Sequence, residues 1–444
     1  MTDTAPLVSR PLAHWIAQRD GRRVSVGAFL YQVQALARRL PDAPYAVNLC
    51  RDRYTFLLSL CAVIQRGQCN LLPSNRHTAT QAELAGRFGP AYVICDAELP
   101  IAPTLESIRI RAKLDEARTR SELAPVDRQQ LAAISFTSGS TGEARANLKT
   151  WGALCDGTAI NRRFMLGDPH TACDLLATVP GQHMYGLELS VLMPLMADVC
   201  VHDGQPLFPV DVLESLERMQ APRALVSTPL HMRALVESGL SFPPVHTIYS
   251  ATAPLAKSLA TEVEKLFGGS VCEIYGCSEV GSLASRRTAH QDHYHAFDGF
   301  AFEPTEHGTR VHVDHLPDPV ELGDVLTFHD ARQFALEGRL TDIVNVAGKR
   351  GSLSLFSQIL SDTRGVDEAV VFQPDPDHGI GRLAAVVVAP GLTRKDVLRE
   401  LEQKVDPAFM PRPVVFVDKL PRSETGKPVR AGLLACVHQS KGSS

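Results

Sequence analysis

The chain has 444 residues, 44% of them hydrophobic and 21% charged, with 31 Gly and 30 Pro, far below the ~25–30% of a low-complexity chain. At ~150 residues per domain it folds as two or three domains, and its net charge of −4 with no long basic run argues against nucleic acid and for a small-molecule partner. Ten scattered cysteines never form C-x-x-C, which excludes a zinc ribbon or a disulfide framework, and they read as small buried hydrophobes in a reducing compartment. The N-terminus has no basic-then-apolar leader, and the most apolar stretch, Leu187 to Val201, carries Glu188 and Asp198, so the expectation is a cytoplasmic protein with no membrane span.

In chain order, Phe29 to Leu40 places apolar residues at helical spacing, and Phe56 to Ile64 reads as a second, buried helix. The runs Tyr92–Cys95, Leu131–Phe136, Leu175–Val179, Ala224–Val226, Thr247–Tyr249 and Val271–Tyr275 read as strands buried on both faces. Strands alternating with helices imply an α/β fold with mainly parallel sheets flanked by helices. After about Tyr294 the texture turns polar, with strands Thr309–Val313 and Asp324–Phe328 suiting a β-rich subdomain. From Asp342 on, strands at Ala369–Phe372, Leu383–Val388 and Val414–Val417 and a helix at Arg394–Lys404 suffice for a small α+β domain. The expected division is 1–340 and 341–444.

The stretch richest in chemistry follows the buried strand at Phe136: Thr137, Ser138, Gly139, Ser140, Thr141 and Gly142. Glycines let backbone N–H groups approach phosphate oxygens, and the four hydroxyls add donors. A flexible Ser/Gly turn is the plainer reading of this loop alone. No G-K-[ST] follows Gly142, so it is not a Walker loop.

Four motifs in one order resemble the adenylate-forming superfamily of acyl- and aryl-CoA synthetases, peptide-synthetase adenylation domains and luciferases. The loop is similar to that family's T-S-G-S-T-G-x-P-K. Tyr275, Gly276, Ser278 and Glu279 match Y-G-x-T-E; Gly323-Asp324, Gly338-Arg339, Gly348 and Arg350 match its ribose and hinge region; Pro421 to Lys427 matches P-x-x-x-x-G-K. The match spans Phe136 to Arg430. In wording the chain resembles most the short acid:carrier-protein ligases of bacterial aryl polyene and xanthomonadin-type pigment clusters.

The resemblance implies the adenylate-forming fold, with 341–444 a mobile lid, and an ATP-dependent ligase. A carboxylate attacks the α-phosphate to give an acyl- or aryl-adenylate, and a pantetheine thiol then takes the acyl group. The implied co-substrates are ATP with Mg²⁺, a small carboxylic acid, most of all a hydroxybenzoate type, and a thiol carried by an acyl carrier protein in trans or by CoA. A fatty or aryl acyl-CoA synthetase is the alternative, and a catalytically silent nucleotide or acyl sensor the alternative of another class. An unrelated phosphotransferase would release ADP rather than AMP.

Lys427 would stabilise charge on the α-phosphate, Glu279 would hold Mg²⁺, and Tyr275 would lie against adenine with Gly276 and Ser278 nearby. Asp324, with two acceptor oxygens, and Arg339 would hold the ribose. His183, Ser250, Ala251 and Gly276 would border the acid, and Ala251 and Thr252 the nucleotide. Thr341 would be the hinge; Gly348 and Arg350 would meet the thiol, with Lys349, Arg350 and Arg412 as a basic rim for a carrier.

Two departures stand out. Ala144 and Arg145 occupy the usual Pro and Lys of the phosphate loop, so that Arg145 or Lys149 would meet phosphate, and the hinge position is Thr rather than Asp or Lys. His290, His293 and His295 lack the acidic or Cys partners of a metal site and read as a solvated loop.

Overall fold

Asp52 starts the second helix. Its carboxylate accepts the Thr55 backbone N–H at 2.7 Å, and the helix runs Arg53–Gln65 with every residue from Arg53 to Ile64 buried. A helix apolar on all sides belongs between layers, and this one packs on strands of two different sheets. The computed structural model describes residues 3–110, 118–120, 122–138, 144–167, 171–306, 308–339, 342–346, 349–374, 382–422 and 428–441.

The first sheet runs in the order Ala144–Thr150, Leu131–Ser138, Cys69–Leu72, Tyr45–Asn48, Ala91–Cys95, Glu106–Arg109, parallel except for its first pair. The second places Ser270–Cys277, Thr247–Ser250, Arg223–Ser227, Cys173–Ala177, Val199–His202 and Trp15–Arg19 side by side, all parallel, with Arg22–Ser25 closing the edge antiparallel. Strands covered on both faces read as continuous Val, Ile, Leu and Ala runs, which is why most of them stood out in the sequence. The early helix starts at Val26 rather than Phe29, because the Ser25 hydroxyl caps it by accepting the Ala28 N–H at 3.2 Å.

Contacts divide the chain into two compact units: Met1–Thr252, Glu262–Ser285 and Asp314–Pro317 form one, and Ala253–Thr261, Arg286–Val313 and Asp318–Ser444 the other. The β-rich segment after Tyr294 thus groups with the C-terminal residues, and the expected boundary at 340 and 341 lies outside the described residues. In the second unit Asp324–Phe328 pairs antiparallel with Gln333–Arg339, and Phe300–Thr305, Gly308–Val313 and Val320–Leu322 form a small antiparallel sheet. Nearer the C-terminus, Glu368–Phe372, Ala384–Val388 and Val414–Phe416 form a sheet whose central strand is buried on both sides. Ala385 and Val387 join a core with Leu353, Phe356, Leu360 and Leu401, while Ala384, Val386 and Val388 join another with Leu433 and Val437. Two-residue alternation serves both faces at once, giving this segment cores of its own.

All ten cysteines are free, and six of them are buried. Among the described residues no helix is long and apolar enough to cross a membrane.

Candidate active site

The parallel register of the second sheet aligns Ser227, Ser250 and Glu273 in one row, with Ala177 opposite Val226. The chain therefore leaves successive strands along one edge, at Thr178, Thr228, Ala251 and Ser278, and ligands of open α/β sheets bind outside such carboxyl ends. Four of the expected segments come together here: His183 to Gly186, Ser250 to Thr252, Tyr275 to Gly276, and Ser278 to Glu279. Tyr275, two residues before its strand ends, is 7% exposed, so an adenine would meet no more than its rim. Thr252 adopts φ +78°, a conformation costly for a β-branched residue and typical of backbone held in place at a functional site.

His183 precedes a fully buried helical stretch, Met184–Gly186 continuing into a π-type turn Leu187–Leu192, a geometry common at functional sites. Its start folds tightly back on the chain: a Cβ on Gly186 would lie 2.0 Å from the Pro180 carbonyl oxygen. Arg53 fixes this turn from behind, donating to Ser190 Oγ and to the carbonyls of Val179 and Ala177, and burial pushes its pKa down to about 10. On the same edge Thr178 Oγ1 lies 3.0 Å from Ser227 Oγ and 2.8 Å from His231 Nδ1, and burial holds His231 below the usual imidazole range. The Ser250 hydroxyl, on a residue with 0% exposure, has no hydrogen-bond partner among the described residues. Sequence reading missed Arg53, Thr178, Ser227 and His231, which sit in no motif.

The phosphate-loop residues divide between strands. Leu131–Ser138 continues through Thr137 and Ser138, and Ala144–Thr150 returns antiparallel, with Arg145 opposite Thr137. Gly139, Ser140, Thr141 and Gly142 lie outside the described residues. On the returning strand Arg145, Asn147 and Lys149 share a face by two-residue alternation. Arg145 is exposed and its guanidinium lies 3.8 Å from the Glu279 carboxylate. A pair so exposed on the arginine side, at that distance, is worth at most ~1 kcal/mol.

Lys149 lies on the inner side of its strand. At 3% exposure it points inward, and its ammonium donates to the backbone carbonyl of Glu279 at 2.5 Å. Burial lowers its pKa, and Glu188, Cys277 and Glu279 pull it back up. Glu188, 5% exposed, is raised by burial and lowered by its bonds to Ser282 and by the Lys149 charge. The turn carrying Glu279 is thereby fixed by residues remote in sequence, while the Glu279 side chain keeps 26% exposure. Among the described residues no three His, Cys, Asp or Glu gather to cage a metal. One accessible carboxylate suits the Mg²⁺ that arrives with ATP, since Mg²⁺ takes one or two carboxylates and fills its shell with phosphate oxygens and water.

In the second unit, Asp324 and Arg339 are register partners across adjacent strands, which sets the two ribose candidates side by side. Asp324 is 9% exposed. In the strand pair Ile343–Val346 and Lys349–Ser352, Arg350 is opposite Asn345. Lys349 pairs with Asp406, whose carboxyl it holds below the usual range, so its charge is compensated, whereas Arg412 is exposed. Thr341, Gly348 and Lys427 lie outside the described residues. Among the three histidines, His293 stacks on His329 with centroids 4.7 Å apart.

Comparison with known proteins decides the family. Residues 59–312 match the AMP-binding enzyme family, and residues 357–427 match the AMP-binding enzyme C-terminal domain. The chain belongs to the AMP-binding enzyme family. Among curated relatives, a 4-coumarate--CoA ligase of Rhodobacter capsulatus is 27% identical over 336 residues, 74% of this chain and 81% of that one. A 3,4-dihydroxybenzoate--[aryl-carrier protein] ligase of Bacillus anthracis is 21% identical over 308 residues, 66% of this chain and 71% of that one. In fold, the chain matches ATP-bound MatB from Rhodopseudomonas palustris with TM-score 0.80 at 20% identity, covering 96% of each chain. MenE from Bacillus subtilis, in complex with ATP and magnesium ion, matches with TM-score 0.80 at 16% identity, covering 95% of this chain and 96% of that one. The protein is an AMP-forming ligase with the adenylate-forming fold.

Proposed function

We propose that this ligase activates a hydroxybenzoate-type acid and hands it to an acyl carrier protein supplied in trans. The observation that carries the acid is the buried polar set at the carboxyl edge of the second sheet: Thr178, Ser227 and His231 bonded together, and a Ser250 hydroxyl left without a partner among the described residues. Burying a hydroxyl without a hydrogen bond is unfavourable, and a ring hydroxyl answers that demand where an alkyl tail would not. The relatives named for 4-coumarate and for 3,4-dihydroxybenzoate support the same chemical class.

In the first step a carboxylate oxygen attacks the α-phosphorus, the bond to the bridging oxygen breaks, and pyrophosphate leaves. Arg145 and the backbone at Thr137 and Ser138 hold the phosphates, Glu279 holds the Mg²⁺ of MgATP, and Asp324 with Arg339 holds the ribose. Lys427 offsets charge as it builds on the α-phosphate, an interaction strongest in the transition state. In the second step the thiol loses its proton, its sulfur attacks the acyl carbon, and the C–O bond to AMP breaks. Residues 341–444 act as the lid that changes position between steps, turning at Thr341, with Gly348 and Arg350 beside the incoming thiol.

The acceptor has a competing reading, free CoA, favoured by the 4-coumarate relatives. A carrier needs a basic surface for its acidic helix, and exposed Arg412 together with Arg350 suits that need. The test offers CoA and a pantetheinylated carrier to the enzyme charged with acid. A faster second-order rate with the carrier, falling as salt rises, supports docking between opposite charges. A faster rate with CoA overturns the acceptor.

A further inference from the structure

The turn from Glu279 to Ser282 sits on two buried charges that no motif contains. Lys149 Nζ donates to the Glu279 carbonyl at 2.5 Å from one side. On the other, the Glu188 carboxylate accepts the Ser282 N–H at 3.1 Å and the Ser282 hydroxyl at 2.7 Å. Gly281 between them has φ +107°, and a Cβ there would lie 2.2 Å from Glu188 Oε1, so the backbone is pressed against the carboxylate. Both charges border a cavity of about 10 Å³, room for a single water, shared with Gly157, Met184, Val280 and His315.

The two charges come from the two segments that receive the substrates. Lys149 is on the strand returning from residues 139–143, and Glu188 is five residues after His183. Burying two opposite charges is an expensive way to stabilise a fold, because packed apolar side chains of similar volume do as well or better. Its return is geometric: charged hydrogen bonds fix backbone atoms in a way that apolar packing does not.

We propose that Lys149 and Glu188 are positioning residues that lock the Glu279–Ser282 turn, and so aim the Glu279 carboxylate at MgATP, keying it to the phosphate-binding strand and the acid-side helix together. This rests on the reading of Glu279 as the carboxylate for MgATP. Neither residue touches substrate. Each acts through the turn.

The test compares Lys149→Met, Lys149→Arg, the double variant Lys149→Met with Glu188→Gln, and Glu279→Gln. ATP binding is measured by calorimetry with and without Mg²⁺, beside the unfolding midpoint and the KM and kcat of pyrophosphate exchange. Lys149→Met should weaken binding with Mg²⁺ about tenfold, within the usual range for losing the support behind a metal-binding carboxylate, and leave binding without Mg²⁺ unchanged. Lys149→Arg, which keeps a charged donor, should recover part of that loss. The double variant, free of an unpaired buried charge, should regain the wild-type unfolding midpoint yet keep the weakened binding with Mg²⁺, and it answers the question even if Lys149→Met fails to fold. Recovery of midpoint and Mg²⁺-dependent binding together would make the pair merely structural and overturn the proposal. If Glu279→Gln lowers Mg²⁺-dependent binding while both Lys149 variants leave it intact, the proposal alone fails. If Glu279→Gln itself has no effect, the reading of Glu279 fails, and the proposal with it.

Discussion

Two antiparallel strand pairs carry nucleotide candidates and hold them by different means. In Leu131–Ser138 with Ala144–Thr150, alternation turns Asn147 and Lys149 into the interior, and Lys149 fixes a turn 130 residues away. In Asp324–Phe328 with Gln333–Arg339, Asp324 and Arg339 are set side by side by the ladder, while Phe328 packs on Phe334 with ring centroids 5.8 Å apart. The first pair is tied to the core by the buried Lys149 charge. The second hangs its nucleotide candidates on a backbone scaffold whose stability comes from ladder and aromatic packing. Function and stability should therefore fall together around the first pair and separate at the second.

Lys427 belongs to neither and sets the scale. Lys427→Ala should slow adenylate formation by roughly 10²–10³, with ATP binding nearly unchanged, because its charge acts on the transition state. Weaker ATP binding at an intact maximal rate, read from pyrophosphate exchange, would remove it from that role.

Gly281→Ala probes the coupled side. At φ +107° a side chain costs about 1–3 kcal/mol in backbone strain, and the added Cβ also meets Glu188. The unfolding midpoint and exchange activity should drop together; activity lost at an unchanged midpoint would break the comparison.

Asp324→Asn probes the separable side. It keeps the shape and one acceptor oxygen but loses a charged hydrogen bond, so KM for ATP should rise about ten- to a hundredfold, with the unfolding midpoint falling less than in Gly281→Ala. A midpoint that falls as far as in Gly281→Ala would show that the second pair is coupled as well.

The smallest effect is expected at His231, outside both pairs. Burial lowers its folded-state pKa, so its contribution to stability is present above the unfolded value of ~6.5 and is lost as pH falls through the lower folded value. Between pH ~6.5 and more acidic conditions the wild type should lose stability relative to His231→Gln. Parallel midpoint curves for the two would show that the ring takes up its proton equally in the folded and unfolded states, and would contradict the lowered folded value.

What the sequence disclosed follows the same division. Asp324–Phe328 and Arg394–Lys404 have the bounds read from pattern alone, and Thr393 with Asp396 forms a capping box at the start of that helix. Such signals are local: alternation, periodicity, caps, and motif residues on one edge of a sheet. Ala144–Thr150 escaped notice as a strand because Asn147 and Lys149 put polar side chains where a buried strand is expected to be apolar. Glu188 registered only as an interruption of an apolar run, although a lone acid in such a run signals a buried partner. That partner, and the turn both residues hold, are brought near by tertiary folding, so no window of sequence contains the arrangement.

On the proposal above, the buried polar edge at Thr178, Ser227, His231 and Ser250 selects a hydroxylated aryl acid for adenylation. Acid-dependent ATP–pyrophosphate exchange across hydroxybenzoates, unsubstituted benzoate, cinnamates and fatty acids tests it directly. A hydroxybenzoate should give the highest kcat/KM, lowered when the ring hydroxyl is removed. Equal turnover of benzoate and its hydroxylated forms, or a preference for fatty acids, would contradict it.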